Sequence, residues 1–580
     1  MISMSIADHL RMSPEQALSR MGLSSFRGKQ EEIVQSILSG RDTMVLMATA
    51  GGKSLCYTVP ALCLDGYAVV VSPLLALMDD QKAGMESRGV RAAIFRGGQT
   101  MLERQEIMES AKRGEINVIL MPPELLNSSS VGSLLVESPP SFVAFDEAHC
   151  ISTWGQDFRP DYSEVGAALD EISNAVGRRI QRVALTATAS EKTIEDIIYL
   201  ARMSEPTVIA SSLVRNNLAI FINHAFDQDA IDASIVKDIS YFGAASGIVY
   251  CRTRKECERM ASVLHDAGIK CATHHSGMTV RARQDAAQEF MRGIAPVIVA
   301  TIGFGMGIDK SDVRYVIHNG VSPTPEAWYQ EIGRGGRDGK HAAAITYALP
   351  LATVPVRAAS DRRQNGWEAA LDYSEVLFGS RCRMQSVMTC FGETSEPCGH
   401  CDNCLGLQPE NVPSVFDSDV LFAVKKHPGN SPSHYAKALG IHSAKVHVQT
   451  TIDALFTARL IDYDIITREN GPPTARLVMT AEGLVCKSPA LETPVLLQDY
   501  APIRSMEDVC ASILKRAAYD GRSFTRRHAS MICMSRPDAA TIRNMDGMDL
   551  PEHLIRKLSP HDQPKKRERT VNRMVTRIRM

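Results

Sequence analysis

Three groups of residues have types and spacings that could do chemistry. The first is Ala48-Thr49-Ala50-Gly51-Gly52-Lys53-Ser54, which follows the apolar run TMVLM (43–47) and opens into SLCYTVPAL. A glycine loop between a strand and a helix turns backbone N–H groups toward a phosphate. Lys53 can then reach the outer phosphates, and the Ser54 hydroxyl suits Mg²⁺. The strict G-x-x-x-x-G-K-S spacing fails because its first glycine falls on Met47, and a plain Gly-Lys turn is the bland alternative. The second group is Asp146-Glu147-Ala148-His149, closing the apolar run FVAF. Adjacent carboxylates at the end of a strand suit two tasks, Asp146 holding Mg²⁺ and Glu147 orienting and deprotonating a water. The third is Cys398-x-x-Cys401-x-x-Cys404 with Cys382 upstream, four thiols whose spacing fits tetrahedral Zn²⁺. Cys390 and His400 compete for that set, and a redox C-x-x-C pair is the functional alternative. With four thiolates no position is open to a substrate, so such a metal is structural.

The elements that must position these residues follow from patterning. Short β-branched runs (TMVLM, YAVVVSP, VILM, FVAFDEAH, RVALTATA, then GIVYC, PVIVATIGFG, YVIH) alternate with helical patterns between residues 40 and 350. That rhythm predicts parallel sheets with crossover helices. The segment 211–226 lacks a strong crossover pattern and reads as the joint between two such sheets. The expected class is α/β, with two tandem parallel-sheet domains (1–212 and 213–350). A helical zinc module (351–407), a winged helix (408–487) and a mostly helical tail (488–580) then follow. The second sheet domain has no phosphate loop of its own. Arg334 and Arg337, in the turn GRGGRDG, can therefore act on a nucleotide held by the first, unless the turn is simply a solvated loop.

Composition bounds the partners. Of 580 residues, 44% are hydrophobic and 22% charged, and the net charge is -2, so a nucleic-acid partner has to be found locally rather than through a global positive field. The sequence reads as free of membrane spans and of a secretion signal, which leads to the expectation of an intracellular protein, in cytoplasm or nucleoid or else nucleus, with reduced cysteines. The helix–turn–helix–wing pattern places Lys445, His447, Arg468 and Arg476 where they could meet DNA, although winged helices also dock proteins. The last thirty residues carry nine Lys/Arg against three Asp/Glu, suited to an auxiliary phosphate contact or to a solvated helix.

Residues 20–490 resemble the superfamily-2 helicases and, within them, the RecQ DNA helicases. Phe26-Arg27-Gly28-Lys29-Gln30 resembles the adenine-reading motif, which implies ATP contacts from Arg27 and Gln30 beside Thr49, Gly51, Gly52, Lys53 and Ser54. Ser72-Pro73-Leu74 with Asp80-Gln81, Thr186-Ala187-Thr188, GIVYCRTRKECERMASVL and His275-Ser276-Gly277-Met278 resemble further family motifs. By this resemblance Gly307 and Asp309 line the nucleotide site, Arg334 and Arg337 are the motif VI arginines with Arg337 as the finger, and His149 and Gln330 couple the sites.

The subfamily rests on the stretch from Cys150 through Trp154, Phe158, Arg159 and Tyr162, similar to the aromatic-rich loop of RecQ proteins. There Trp154 and Phe158 would stack on unpaired bases and Arg159 would contact phosphate, against the alternative of a buried aromatic cluster. The cysteines resemble the RecQ zinc module, which selects Cys382, Cys398, Cys401 and Cys404 over Cys390 and His400. The tail stands where relatives carry an HRDC domain. The resemblance implies an ATP-, Mg²⁺- and Zn²⁺-dependent helicase moving 3′→5′ on single-stranded and partly duplex DNA in repair or recombination, with repair proteins meeting the winged helix or tail. An ATPase-deficient DNA-binding scaffold and an RNA remodeller are the alternatives. Three departures stand out: Ala48 and Ala50 in the phosphate loop, Phe95-Arg96-Gly97-Gly98 before Gln99-Thr100, and GRGGRDG for GRAGRDG. Ala50 would carry a cost of about 1 kcal/mol if its backbone needs positive φ.

Overall fold

The structure, a computed structural model, describes residues 10–486 except 49–50, 74, 153–159, 188–190, 226, 302–303, 305–309, 361–365, 407–411, 414–416, 440–444 and 469–470, together with 489 and 492–493. The chain divides into two compact units, the first running to Val214 and the second beginning at Arg215.

The first unit is built on β1 (Thr43–Leu46), β2 (Ala68–Val71), β3 (Ala92–Ile94), β4 (Val118–Met121), β5 (Phe142–Phe145), β6 (Gln181–Thr186) and β7 (Thr207–Ala210). They form one sheet in the order β3-β4-β2-β5-β6-β1-β7, with every pairing parallel. Period-two alternation sends successive side chains to opposite faces. Val45, Val70, Leu120 and Ala144 enter one core. Met44, Val69, Ile119 and Val143 enter the other. Burial on both faces is why these strands read as continuous apolar runs.

In the second unit β8 (Leu218–His224), β9 (Ser246–Cys251), β10 (Cys271–His274), β11 (Val297–Ala300), β12 (Val313–Asn319) and β13 (Ala342–Ala348) form a parallel sheet in the order β10-β11-β9-β12-β13-β8. The segment read as a joint thus contains a full edge strand. Its run LAIFINH pairs residue for residue with β13, from Leu218 opposite Ala342 to His224 opposite Ala348. The flanking Asn216-Asn217 pair obscured it. Two further strands, β3 (AAI) and β13 (AAAITYA), are alanine-rich and carry little β signal of their own. Sheet burial, not propensity, makes them strands.

Beyond β13 come helices Thr353–Ser360, Gly366–Phe378 and Arg383–Cys390, then the cysteine knuckles. Helices Asp417–Lys426, Pro432–Ala438 and Lys445–Thr457 follow, and then an antiparallel hairpin of Ile461–Arg468 with Gly471–Met479. This is the element order expected of a winged helix. The tail from 494 onward lies outside the described residues. Among the described residues, no helix is long and apolar enough to cross a membrane.

Candidate functional site

The phosphate loop leaves β1 and enters helix Lys53–Cys63, whose N-cap is Gly52 at φ 83°, a left-handed backbone that favours glycine. Gly51 is required for a different reason. A Cβ there would lie 2.5 Å from Met47 Cγ. Lys53 and Ser54 therefore sit in the first helical turn, where unsatisfied N–H groups and the helix dipole favour an anion, and Ser54 is exposed. Gln30 is buried, accepts from Arg27 N at 2.9 Å and donates to Gly51 O at 2.9 Å. Its amide braces the loop through that carbonyl, while the Arg27 side chain is exposed. Thr49 and Ala50 fall outside the described residues, and so does the question of Ala50's φ.

At the end of β5, Asp146 and Glu147 come to the same place. Lys53 Nζ donates to Glu147 Oε1 at 2.9 Å. Glu147 has φ 48°, a left-handed conformation rare for a side-chain-bearing residue and of the kind held at functional sites. Asp146 is buried. Its carboxylate accepts from Gln81 Nε2 at 2.6 Å and from Glu147 N at 3.0 Å. Burial pushes the Asp146 carboxyl up from its ordinary value, Lys53 opposes that and the neighbouring Glu147 adds to it. The Tyr162 hydroxyl lies 2.6 Å from Asp146 O and 2.9 Å from Val71 O, and so pins the backbone of the acidic pair. His149 is also buried, with Nδ1 3.0 Å from Thr186 Oγ1 and 3.5 Å from Glu147 Oε2. It thereby joins the acidic pair to the end of β6. The sequence reading did not place Gln81 at this site. Its only signal was the Asp80-Gln81 step noted above as resembling a family motif.

In the second unit, Gln330 belongs to helix Pro325–Ile332 and Arg334 and Arg337 to the turn after it, with Arg334 buried and Arg337 half-buried. Arg215 forks across this turn, donating to Gly333 O at 3.1 Å, Gly335 O at 2.8 Å and Gly336 O at 3.0 Å. Burial lowers the Arg215 pKa from its ordinary value. Gly336 has φ 60°, and a Cβ there would strike Lys340 O at 2.4 Å, so the third glycine of GRGGRDG is obligatory. Gly307 and Asp309 lie outside the described residues.

A second feature of this unit involves stretches read from sequence only as resembling family motifs, with no ligand assigned to them. Arg252, Arg254, Lys255 and Arg283, with Thr253, His274, Ser276 and Thr301, line a cleft of about 660 Å³. Helix Arg254–Asp266 starts there, capped by Thr253 and Glu256 in a reciprocal box. Four cations beside a helix N-terminus make an anion site. The signal was the density of cations in Arg252-Thr-Arg-Lys255.

Cys382, Cys398, Cys401 and Cys404 hold their sulfurs within 4.8 Å of one another. Tetrahedral Zn²⁺ with Zn–S near 2.3 Å requires sulfurs about 3.8 Å apart. Backbone N–H groups already point at sulfur, Cys398 N at Cys382 (3.2 Å) and Arg383 N at Cys401 (3.4 Å), as thiolate ligands require. The residues fit a structural zinc. Cys390 stands apart, directed at Ser386 O, and His400 lies between Cys398 O and Leu218 O. Asp402 ties the module to the second sheet, accepting from Arg383 Nε and from Ile222 N, each at 2.9 Å.

Of the residues expected to meet DNA, Trp154, Phe158 and Arg159 are outside the described residues. Lys445, His447 and Arg468 belong to described elements but their side chains do not. Arg476 is exposed on the hairpin, opposite Asp464.

Comparison with known proteins agrees with these features. Three family models match: DEAD/DEAH box helicase over residues 27–197, helicase conserved C-terminal domain over 236–339 and RecQ zinc-binding over 357–405. An ATP-dependent DNA helicase RecQ of Haemophilus influenzae is 34% identical over 445 residues, covering 74% of this chain and 69% of the relative. One from Pasteurella multocida is 34% identical over 409 residues, covering 69% of this chain and 63% of the relative. Among solved structures, the DUF1998 helicase MrfA bound to DNA superposes with a TM-score of 0.51 at 16% identity, over 82% of this chain and 60% of that one, a likeness of fold. With a phosphate loop facing an acidic pair, two parallel sheets and a four-cysteine cluster within the segments these family models match, the chain belongs to the RecQ family of superfamily-2 helicases.

Proposed function

We propose that this chain is an ATP- and Mg²⁺-dependent DNA helicase that moves 3′→5′ along one strand and opens the duplex ahead of it. The observation that carries the reading is the Lys53–Glu147 contact, which puts a phosphate-binding cation and a water-activating carboxylate in one site. In this reading Lys53 moves from Glu147 to the outer phosphates when ATP enters. The released carboxylate then orients and deprotonates the attacking water. Asp146 and Ser54 would hold Mg²⁺, which when bound neutralises charge on the phosphates. Arg334 and Arg337, held in their turn by Arg215, stabilise charge developing on the γ-phosphate.

The cleft around Arg252 and Arg254 takes the backbone of the strand, since clustered cations at a helix N-terminus recognise phosphate without reading sequence. Trp154 and Phe158 stack on its bases and report occupancy to Glu147 nearby in sequence. The three helices and hairpin of 417–479 act as a winged helix on the duplex side. The relatives named above are called ATP-dependent DNA helicases, which supports the same reading. Intact Lys53, Glu147 and Arg337 argue against a scaffold that has lost its chemistry.

The deciding experiment measures ATPase rate with and without single-stranded DNA, with matched RNA as a comparison, and unwinding of duplexes carrying 3′ or 5′ tails. Stimulation by DNA above RNA and opening of the 3′-tailed duplex alone are expected. Equal ATPase rates with and without a strand would overturn the proposal.

A further inference from the structure

The helix Lys445–Thr457 carries one acid, Asp453, inside the apolar run TIDALF, and its side chain is fully buried. A buried carboxylate needs donors, and these come from outside its own helix. Asp453 Oδ2 accepts from Leu351 N at 2.6 Å, and Oδ1 accepts from Thr353 N at 3.1 Å and from the Thr353 hydroxyl. Those amides open helix Thr353–Ser360, which directly follows β13. An acid from the three-helix unit thus serves as the N-terminal cap of the first helix after the second sheet, satisfying amides that a helix leaves without intrahelical partners.

The surroundings reinforce the joint. Leu351 has φ 67°, a left-handed backbone unfavourable for leucine, at the residue whose amide Asp453 holds. The Tyr463 hydroxyl, from the hairpin, lies 2.8 Å from Thr353 Oγ1 and completes a chain from Tyr463 through Thr353 to Asp453. Arg357 forks Asp462 at 2.8 and 3.2 Å, and Trp367 packs edge-on against Phe456, their centroids 5.0 Å apart. Polar bonds fix direction where apolar packing alone would allow sliding.

We propose that Asp453 is a positioning residue that locks the three-helix-and-hairpin unit to the end of β13, so that the duplex-facing surface moves as one body with the second sheet. The inference rests on the helicase reading for its consequence, though not for the joint itself. When the second sheet shifts during the ATP cycle, a rigid joint delivers that displacement to the duplex, whereas a loose one dissipates it while hydrolysis continues.

The test compares wild type, Asp453→Ala and Asp453→Asn in the full chain, each checked for zinc stoichiometry. Three quantities are read: DNA-stimulated ATPase rate, base pairs opened per ATP, and the distance distribution between fluorophores placed through unnatural amino acids at the exposed positions Arg281 and Glu482. Asp453→Ala is expected to keep its ATPase within about two-fold, to lose about ten-fold in base pairs per ATP and to broaden the distance distribution. Asp453→Asn, which retains one acceptor oxygen, restores part of both losses, and it carries the comparison if the alanine variant does not keep its zinc. Unchanged base pairs per ATP, or ATPase and unwinding falling by the same factor, would overturn the proposal. If the wild type shows no DNA-stimulated ATPase, the helicase reading fails and the distance measurement alone judges the joint: broadening upholds it, an unchanged width removes it.

Discussion

Lys53 and Glu147, ninety-four positions apart in the chain, form an ion pair of 2.9 Å with side chains only 12% and 26% exposed. In the proposed mechanism this contact is exchanged when a nucleotide draws the lysine to its phosphates, freeing the acid to activate water.

The pair sets opposite outcomes for its two members. Lys53→Ala removes the phosphate contact, so nucleotide affinity and turnover both fall, turnover by at least about 100-fold. Glu147→Gln also stops turnover but releases Lys53 for the phosphates, so nucleotide binds as tightly as in wild type or more so. Fluorescent-nucleotide titration beside steady-state ATPase measurement checks both. Weaker binding in Glu147→Gln would contradict the exchange.

The basic cleft of the second unit is expected to act through phosphates. Arg252→Ala and Arg254→Ala should weaken single-strand binding alike for all sequences, each lowering the slope of log affinity against log salt by about 0.7. Fluorescence anisotropy over a salt series reads this directly, and a sequence-dependent loss would point to base contacts instead.

Arg215 touches three carbonyls of the turn bearing Arg334 and Arg337. Lysine keeps the charge but not the planar fork. Arg215→Lys is expected to lower kcat about ten-fold with KM for ATP little changed, because in the proposed mechanism the turn acts on developing charge rather than on ground-state binding. A change confined to KM would refute this.

Cys401 is fully buried among the four clustered sulfurs, whereas Cys390 is not part of them. Cys401→Ala should lose the zinc and expose 382–404 to protease, while Cys390→Ala keeps one zinc per chain. Atomic emission after gel filtration distinguishes them.

Asp238 is buried in the second unit against the Tyr347 hydroxyl at 2.5 Å, and burial raises its carboxyl to about 7. Its unfolded value is near 3.9, so between pH 4 and 7 the unfolded chain gives up a proton that the folded chain keeps. Stability is lost as pH rises through that window and is level above it, by roughly 3–5 kcal/mol at most. Asp238→Asn, which can still accept from Tyr347, should melt with wild type at pH 4 and above it at pH 8. A gap that does not widen between these pH values would show that Asp238 ionises freely in the fold.

Much of the site was legible because its chemistry is local. The phosphate loop, the acidic pair and the cysteine knuckles are short, and each needs particular residue types at fixed offsets. The edge strand β8 and the alanine-rich β3 and β13 were hidden because their strand character comes from neighbours in the sheet. Arg215 was hidden for a related reason, since it belongs to no spacing pattern, and Gln81, legible only as part of a motif, acquires its contact with Asp146 from what folding brings beside it.

The amino-acid order alone determined which groups are candidates to bind phosphate, activate water and hold zinc, since local backbone geometry and ligand count are properties of a few consecutive residues. Tertiary structure decided what those groups touch. It set Lys53 against Glu147, turned Gln30 onto the phosphate loop and carried Asp453 from one helix to the beginning of another. Such pairings join distant residues, and only the burial of two sheets and their helices selects them from the many the chain could form.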